Sequence, residues 1–255
     1  MNGAGRGQLR GLSSFSTVVL FGLLAMAGAF LPQPAQAAGA TLTKSEIRQA
    51  EQWLKELGYW TGPVDGVWDT ATRHALVAFQ KVERARPTGT LTRAEWNALS
   101  VAATPRPKEK GPAHIEVDLA RQVLFLVDDE GRVGNILPVS SGNGKKFKAG
   151  SWIGDAITPC GRFEVFSRVS GWRTSALGEM HNPLYIVGGI AIHGSADVPA
   201  RPASHGCIRI PMFASERLHR LVPRNMPVLV YGCPEEPGLP NALAGAVASA
   251  SPARE

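Results

Sequence analysis

Residues 193–209 read HGSADVPARPASHGCIR, with one histidine–glycine pair at the start of the stretch and a second directly before Cys207. A cysteine nucleophile needs a thiol pKa low enough to supply thiolate, an imidazole that takes up the proton, and backbone N–H groups that face the developing oxyanion. Here His193 is the candidate base, and Gly206 lets the backbone approach a substrate without a Cβ in the way. The pattern therefore indicates covalent chemistry at Cys207.

Two other interpretations of these residues are open. A cysteine is commonly a small, buried, apolar side chain, and the upstream histidine–glycine pair is what favours a nucleophile over that role. A zinc site would instead draw on His181, His193, His205 and Cys207. However, no pair of histidines has the HExxH spacing, and the three cysteines of the chain form no CxxC pair. We predict no bound metal and no cofactor.

The surrounding sequence predicts a mostly-β unit over residues 113–232. Short apolar runs, several of them alternating, are separated by glycine-containing turns, which is typical of a β-sandwich or a barrel-like domain. One helix is expected over 212–221. The predicted strands lie at 114–118, 123–127, 133–139, 163–166, 184–187 and 228–231.

Residues 42–102 show apolar residues at helical spacing and predict a small three-helix bundle. Within its second helix, His74 is expected at a surface or cap position. The expected N-caps are Ser45, then Asp69 or Thr70, then Thr92. The predicted fold class is multidomain α+β: the three-helix bundle, a linker at 103–112 rich in proline and charge, and a mostly-β sandwich.

The helical unit resembles the peptidoglycan-binding domain of the three-helix type. The resemblance is carried by LKELGYWTGPVDGVWDTATRHALVAFQKVERARPTGTLTRAEWNAL at 54–99. It implies that this unit attaches the chain to the cell wall. An inert spacer and a regulatory lid are the alternatives.

Residues 113–232 resemble the catalytic domain of the L,D-transpeptidases of peptidoglycan, the YkuD-type fold. The signature of that family is His-Gly followed, after a short loop, by Ser-His-Gly-Cys, an apolar residue, and Arg or Asn. It matches the stretch at 193–209. Upstream, TPCGRF at 158–163 resembles the family's Thr-Pro-x-Gly-x-Phe turn and strand.

The resemblance implies a role for each residue of the signature. Cys207 attacks the carbonyl between the third residue of a stem tetrapeptide and its terminal D-alanine, while His193 serves as general base and then acid. Transfer of the acyl group to an amine of a second stem gives a 3→3 cross-link. Water as the acceptor would give a carboxypeptidase, and a domain without activity would leave a wall-binding protein.

The resemblance also implies how the substrate is bound. The N–H groups of Gly206 and Cys207 would form the oxyanion site. The other substrate-binding positions are Gly194, Ser195, Ser204, His205 and Arg209.

The partners that the resemblance implies are stem tetrapeptides and the sacculus, in the biosynthesis and organisation of the cell wall, and we expect a monomer. The formal net charge of +6 suits an anionic polymer or surface. No run of lysine and arginine is interleaved with aromatic residues, so nucleic acid is not an expected partner.

The first 37 residues have the order of a secretory signal peptide. A basic start is followed by an apolar run at 15–31 and the small-residue site Ala35-Gln36-Ala37. An uncleaved anchor is the alternative, but the run is shorter than the roughly 20 residues of a membrane span. We therefore predict cleavage, export to the periplasm or the extracellular wall, and no membrane span in the mature chain.

The other end of the chain, residues 233–255, is rich in proline, alanine, glycine and serine and predicts a disordered tail. An odd number of cysteines in an exported protein leaves at least one thiol unpaired. Cys160 and Cys233 could form a disulfide, which would leave Cys207 free.

Overall fold

The computed structural model describes residues 42–233. The predicted signal peptide, and the predicted tail from residue 234 onward, lie outside the described residues. No helix among residues 42–233 is long and apolar enough to cross a membrane. This described part of the chain contains four helices: α1 Lys44–Glu56, α2 Thr70–Val82, α3 Arg93–Val101 and α4 Met212–Leu221.

The helix N-caps follow simple hydrogen-bond chemistry. Asp69 caps α2 and Thr92 caps α3, which confirms both predictions. The predicted cap at Ser45 is wrong. Thr43 caps α1 instead, because its hydroxyl accepts the backbone N–H of Glu46 while the Glu46 carboxylate accepts the backbone N–H of Thr43.

Between residues 114 and 231 the structure has twelve strands. They are β1 His114–Asp118, β2 Val123–Val127, β3 Val133–Pro138, β4 Lys146–Ala149, β5 Trp152–Asp155, β6 Gly161–Glu164, β7 Ser167–Arg168, β8 Trp172–Ser175, β9 Gly178–Val187, β10 Ile190–Ser195, β11 Ile208–Pro211 and β12 Pro227–Tyr231.

The strands form two sheets and a separate hairpin. The first sheet has the order β3-β2-β1-β12-β6, the second has the order β11-β10-β9-β7 with β8 also paired to β9, and β4 pairs with β5. The pairs β1–β12 and β10–β11 are parallel, and the other ladders are antiparallel. The two sheets and α4 enclose one apolar core. The predicted fold class, a three-helix bundle followed by a mostly-β sandwich, is confirmed.

A second apolar core joins the three-helix bundle to the outer face of the first sheet. Leu54, Leu76 and Phe79 of the helices pack in one cluster with Phe125 of β2 and Ile136 of β3. Because side chains alternate along a strand, β2 sends Phe125 to this cluster and Leu124 to the sandwich core. A strand buried on both faces explains why residues 123–127 read VLFLV without polar interruption.

Polar contacts also hold the bundle to the sheet. The ammonium of Lys81 is buried and donates to the carbonyl oxygens of Gln122 and Val139, each at 3.0 Å. Burial without a carboxylate partner lowers the pKa of Lys81 to about 7. His74 is half-buried, with its ring centroid 5.9 Å from that of Phe213 in α4, so the prediction of a surface or cap position is wrong.

Glu51 is a fully buried carboxylate that fixes the loop between α1 and α2. It accepts the backbone N–H groups of Asp65 and Gly66, at 3.0 and 2.7 Å, and the hydroxyl of Thr72 at 3.0 Å.

We expect Glu51→Ala to lower the free energy of unfolding by about 3 kcal/mol, because buried donors lose a charged acceptor. Glu51→Gln keeps an acceptor oxygen in place and should cost less than half as much. Urea unfolding of both variants checks this, and equal losses would contradict the role of the acceptor.

Candidate active site

Strand pairing places the predicted catalytic residues together. In the parallel pair of β10 and β11, Ile192 lies opposite Ile208, and both are buried in the sandwich core. His193 lies opposite Arg209, so these two side chains occupy the other face of the sheet. Cys207 directly precedes β11, and the same alternation puts it on the face of His193. The structure thus brings the predicted nucleophile and base onto one face of adjacent strands.

The imidazole of His193 is buried and oriented by its own strand. Its Nδ1 lies 3.0 Å from the carbonyl oxygen of Gly194. A carbonyl oxygen can only accept, so Nδ1 carries the proton and Nε2 is left with a lone pair. Burial lowers the pKa of His193, and the positive charge of Arg209 lowers it further, against the opposing effect of the Gly194 hydrogen bond. His193 is therefore neutral near pH 7 and equipped to accept a proton at Nε2.

Cys207 is a free, half-buried thiol. Its Sγ donates toward the carbonyl oxygen of Gly189 at 3.6 Å. Burial raises the pKa of Cys207, and the backbone N–H of Ala191 and the charge of Arg209 offset that rise only in part. The expectation of a lowered thiol pKa is therefore corrected. The resting state is a neutral thiol and a neutral imidazole on the same sheet face, because desolvation disfavours both charged forms.

Ser204 organises the loop that ends in the thiol. Its buried hydroxyl accepts the backbone N–H of Gly206 at 3.0 Å and donates to the carbonyl of Cys207 at 2.5 Å. This corrects the predicted oxyanion site, since the N–H of Gly206 already serves this internal bond. The N–H of Cys207 takes part in neither bond, so it is the predicted donor that can still face a substrate.

The two glycines of the signature are required by the protein's own packing. Gly206 has a φ of +134°, and a Cβ there would lie 2.8 Å from Cδ1 of Ile190 and 3.0 Å from the carbonyl oxygen of Ile157. A Cβ on Gly194 would lie 2.5 Å from the hydroxyl of Ser215 in α4. The expected reason for Gly206, room for a substrate, is thus replaced by a close approach of backbone and side chain within the fold.

The remaining predicted site residues with polar or charged side chains make contacts of their own. His205 is exposed, and its ring centroid lies 4.9 Å from that of Phe147 in the β4–β5 hairpin. Arg209 Nη1 lies 3.3 Å from the carboxylate of Asp197. The hydroxyl of Ser195 closes a turn by bonding to both backbone groups of Asp197. None of these contacts reaches the sulfur of Cys207, and of these three residues only the charge of Arg209 acts on the thiol.

Residues 140–142 contact the loop that leads to Cys207. The sequence analysis does not predict this contact. The N–H and carbonyl of Ser140 pair with those of Arg209, each at 3.0 Å. The carbonyl of Ser141 accepts the N–H groups of Ala203 and Ser204, each at 2.9 Å. The hydroxyl of Ser140 also donates to the carbonyl oxygen of Arg201 at 2.8 Å. Nothing in the residue types of this short polar segment indicates that it would contact the loop, because most of these bonds join backbone atoms.

The cysteines resolve into one pair and one free thiol. Cys160 and Cys233 form a disulfide that links residues 73 positions apart, and Cys207 stays unpaired. Because Cys233 takes part in this disulfide, the prediction that includes residue 233 in a disordered tail is wrong at that residue. Within residues 42–233, no group of three or more histidine, cysteine or acidic side chains could hold a metal ion.

Comparison with known proteins gives two family matches. Residues 43–99 match the sequence model of the peptidoglycan binding domain, and residues 112–230 match that of the L,D-transpeptidase catalytic domain. A solved L,D-transpeptidase from Xylanimonas cellulosilytica is 36% identical, with a TM-score of 0.70, over 76% of this chain and 94% of that chain. An L,D-transpeptidase from Stackebrandtia nassauensis is more distant, at 20% identity and a TM-score of 0.44, over 76% of this chain and 98% of that chain.

Among curated proteins, the localization factor PodJL of Caulobacter vibrioides is 36% identical over 66 residues. The match spans 26% of this chain and only 7% of the length of PodJL. The fold and the site define the class: a β-sandwich enzyme that carries a helical domain of the peptidoglycan-binding type. Within that class, the chain belongs to the L,D-transpeptidase family.

Proposed function

We propose that the chain is an exported cysteine acyltransferase of peptidoglycan. It cleaves the bond between stem residue 3 and D-Ala4 and passes the acyl group to an amine of another stem, which makes a 3→3 cross-link. The observation that carries the proposal is the free thiol of Cys207 on the same sheet face as a neutral, oriented His193. The disulfide supports export, since such bonds persist in oxidising compartments.

In the acylation step His193 acts as general base. As the sulfur of Cys207 attacks the carbonyl carbon of stem residue 3, its proton moves to Nε2 of His193. The negative charge that forms on the carbonyl oxygen is stabilised by the N–H of Cys207. The C–N bond then breaks, and the imidazolium returns the proton to the leaving amine of D-alanine. The product is a thioester on Cys207.

In the transfer step the same groups act in reverse. A neutral amine of a second stem attacks the thioester carbon, and His193 takes the proton that this amine loses. The sulfur leaves and is reprotonated by the imidazolium, which restores the resting pair. Water in place of the amine would give a carboxypeptidase. The position of the acceptor relative to Cys207 therefore decides the product.

The helical domain is proposed to hold the enzyme on the sacculus. Full-length Cys207→Ala should sediment with purified sacculi, because the substitution removes chemistry and leaves the helices intact. Truncation is a poor test, since the bundle and the first sheet share a core. A full-length variant that stays in the supernatant would contradict the wall-binding role.

The test of the activity is incubation of the full chain with disaccharide-tetrapeptide, followed by mass spectrometry of the products. Cross-linked dimers with released D-alanine support transfer. Tripeptide without cross-linked dimers would show that water is the acceptor, and the proposed transfer would be replaced by hydrolysis. Products that form equally with Cys207→Ala would exclude this thiol as the nucleophile, and no product from the unsubstituted chain would favour a non-catalytic wall-binding protein.

The neutral resting pair predicts a broad pH plateau. Activity requires unprotonated His193, so kcat/KM should fall only as the pH drops through its depressed pKa, below the usual value of about 6.5. It should fall on the alkaline side only as the pH rises through the pKa of Cys207, which burial raises above the usual value for a thiol, because the ionised thiol no longer delivers a proton to His193. A pH–rate profile and the ultraviolet absorbance of thiolate check this, with Cys207→Ala as the blank. Strong thiolate absorbance at neutral pH would indicate a preformed ion pair instead.

A further inference from the structure

We infer that Thr158 is a positioning residue that sets the direction of the Cys207 N–H, the proposed oxyanion donor. This inference rests on the proposed function, because it assumes that Cys207 forms the tetrahedral adduct. Thr158 precedes β6 and lies far from the signature in sequence. Its side chain nevertheless reaches the loop that carries the nucleophile.

The hydroxyl of Thr158 is buried between two backbone segments. Its oxygen accepts the N–H of Gly142 at 2.9 Å. It donates its single proton to the carbonyl oxygen of Gly206 at 2.6 Å. Because an N–H can only donate, the hydroxyl proton is committed to Gly206, and the direction of both bonds is fixed.

The Gly206 carbonyl belongs to the same peptide unit as the N–H of Cys207. A peptide unit is planar, and in the trans form its C=O and N–H point in opposite directions. By holding the carbonyl, Thr158 therefore turns the N–H of Cys207 away from itself and limits rotation of the whole unit. The hydroxyl of Ser204 accepts the N–H of Gly206 and donates to the carbonyl of Cys207. The N–H of Cys207 takes part in none of the bonds made by Thr158 and Ser204.

The surrounding backbone is built for this close approach. A Cβ on Gly142 would lie 2.3 Å from the carbonyl oxygen of Ala156, and a Cβ on Gly206 would lie 3.0 Å from that of Ile157. Glycine at both positions lets the three segments come within reach of a single hydroxyl. Two residues beyond Thr158, the disulfide of Cys160 ties the same turn to residue 233.

The test compares Thr158→Val with Thr158→Ser in the full chain, using two reactions of the same sulfur. Acylation by disaccharide-tetrapeptide passes through an oxyanion. Alkylation by iodoacetamide forms an S–C bond at a CH₂ group and expels iodide, so no oxyanion develops. We expect Thr158→Val to slow acylation by about tenfold to a hundredfold, less than the loss of about 10²–10³-fold seen when a donor is removed, because the Cys207 N–H remains and only its direction is freed. Alkylation should stay within about twofold, and Thr158→Ser, which keeps the hydroxyl, should restore acylation to within about threefold.

The outcomes separate this inference from the proposed function. Acylation that falls while alkylation does not, with rescue by serine, supports the inference. Equal losses in both reactions would show that Thr158 only maintains the shape of the loop and would overturn it. Unchanged acylation in Thr158→Val would overturn the inference alone, with the proposed function intact. An unsubstituted chain that is alkylated but never acylated would overturn both.

Discussion

Cys207→Ala should lose the acyl-enzyme entirely and reduce cross-linking and D-alanine release by at least about 10⁴-fold. The reason is that no other thiol is available, since Cys160 and Cys233 are bonded to each other. Removing a catalytic nucleophile typically leaves only the small acceleration that binding and oxyanion stabilisation provide. The measurement is intact-protein mass spectrometry during incubation with disaccharide-tetrapeptide, together with quantified D-alanine.

The matched control keeps the shape of the site and changes only the nucleophile. Cys207→Ser places a hydroxyl where the thiol stood, and its much higher pKa should leave activity near that of alanine. Both variants should melt close to the unsubstituted chain, because Cys207 is half-buried and outside the two apolar cores. Persistent turnover in either variant would show that another residue is the nucleophile.

Phe125→Ala should lower the free energy of unfolding by about 3–5 kcal/mol and loosen the helical bundle together with the first sheet. Phe125 is 1% exposed and lies in the core that the helices share with β2 and β3. The guanidinium of Arg121 also lies 5.5 Å from its ring centroid. The cavity left by the lost ring would therefore weaken contacts on both sides of the shared core.

The control is Phe166→Ala, since this phenylalanine is 38% exposed and its loss should cost less than about 1 kcal/mol. Urea unfolding gives the two free energies. Hydrogen exchange with mass spectrometry then shows whether peptides of α1 and α2 lose protection in parallel with those of β2 and β3. Helices that keep full protection while the strands lose it would show two independently folding units.

The sequence predicts all four helices but only six of the twelve strands within residues 42–233, and it misses β10 and β11, which carry the candidate site. The helix at 212–221 and the caps at Asp69 and Thr92 were predicted because capping and periodicity are local properties. The run VLFLV in β2 predicts a buried strand, but period two cannot say that one face meets helices and the other meets a sheet. The half-buried position of His74 escaped prediction for the same reason, since its neighbour Phe213 is distant in sequence.

The candidate site divides in a similar way. Cys207 and His193 were identified by residue type and spacing, because nucleophile and base must be particular side chains. Residue type and spacing do not predict that the pKa of Cys207 is raised, since desolvation depends on what surrounds the sulfur in space. Thr158 was noticed only as part of a turn motif, and its contact with Gly206 spans 48 positions of sequence. A hydrogen bond between a side chain and a distant backbone carbonyl cannot be recognised from composition or spacing.

The position of β12 has a consequence for how the protein matures. This strand lies between β1 and β6, second from one edge of the first sheet, yet it comes from residues 227–231, long after both neighbours have been synthesised. The sheet therefore cannot close until the late strand is available, and pairings so distant in sequence form slowly. In the exported protein that we propose, this delay would keep the chain open during translocation. Folding and formation of the Cys160–Cys233 bond would then be completed together on the far side of the membrane.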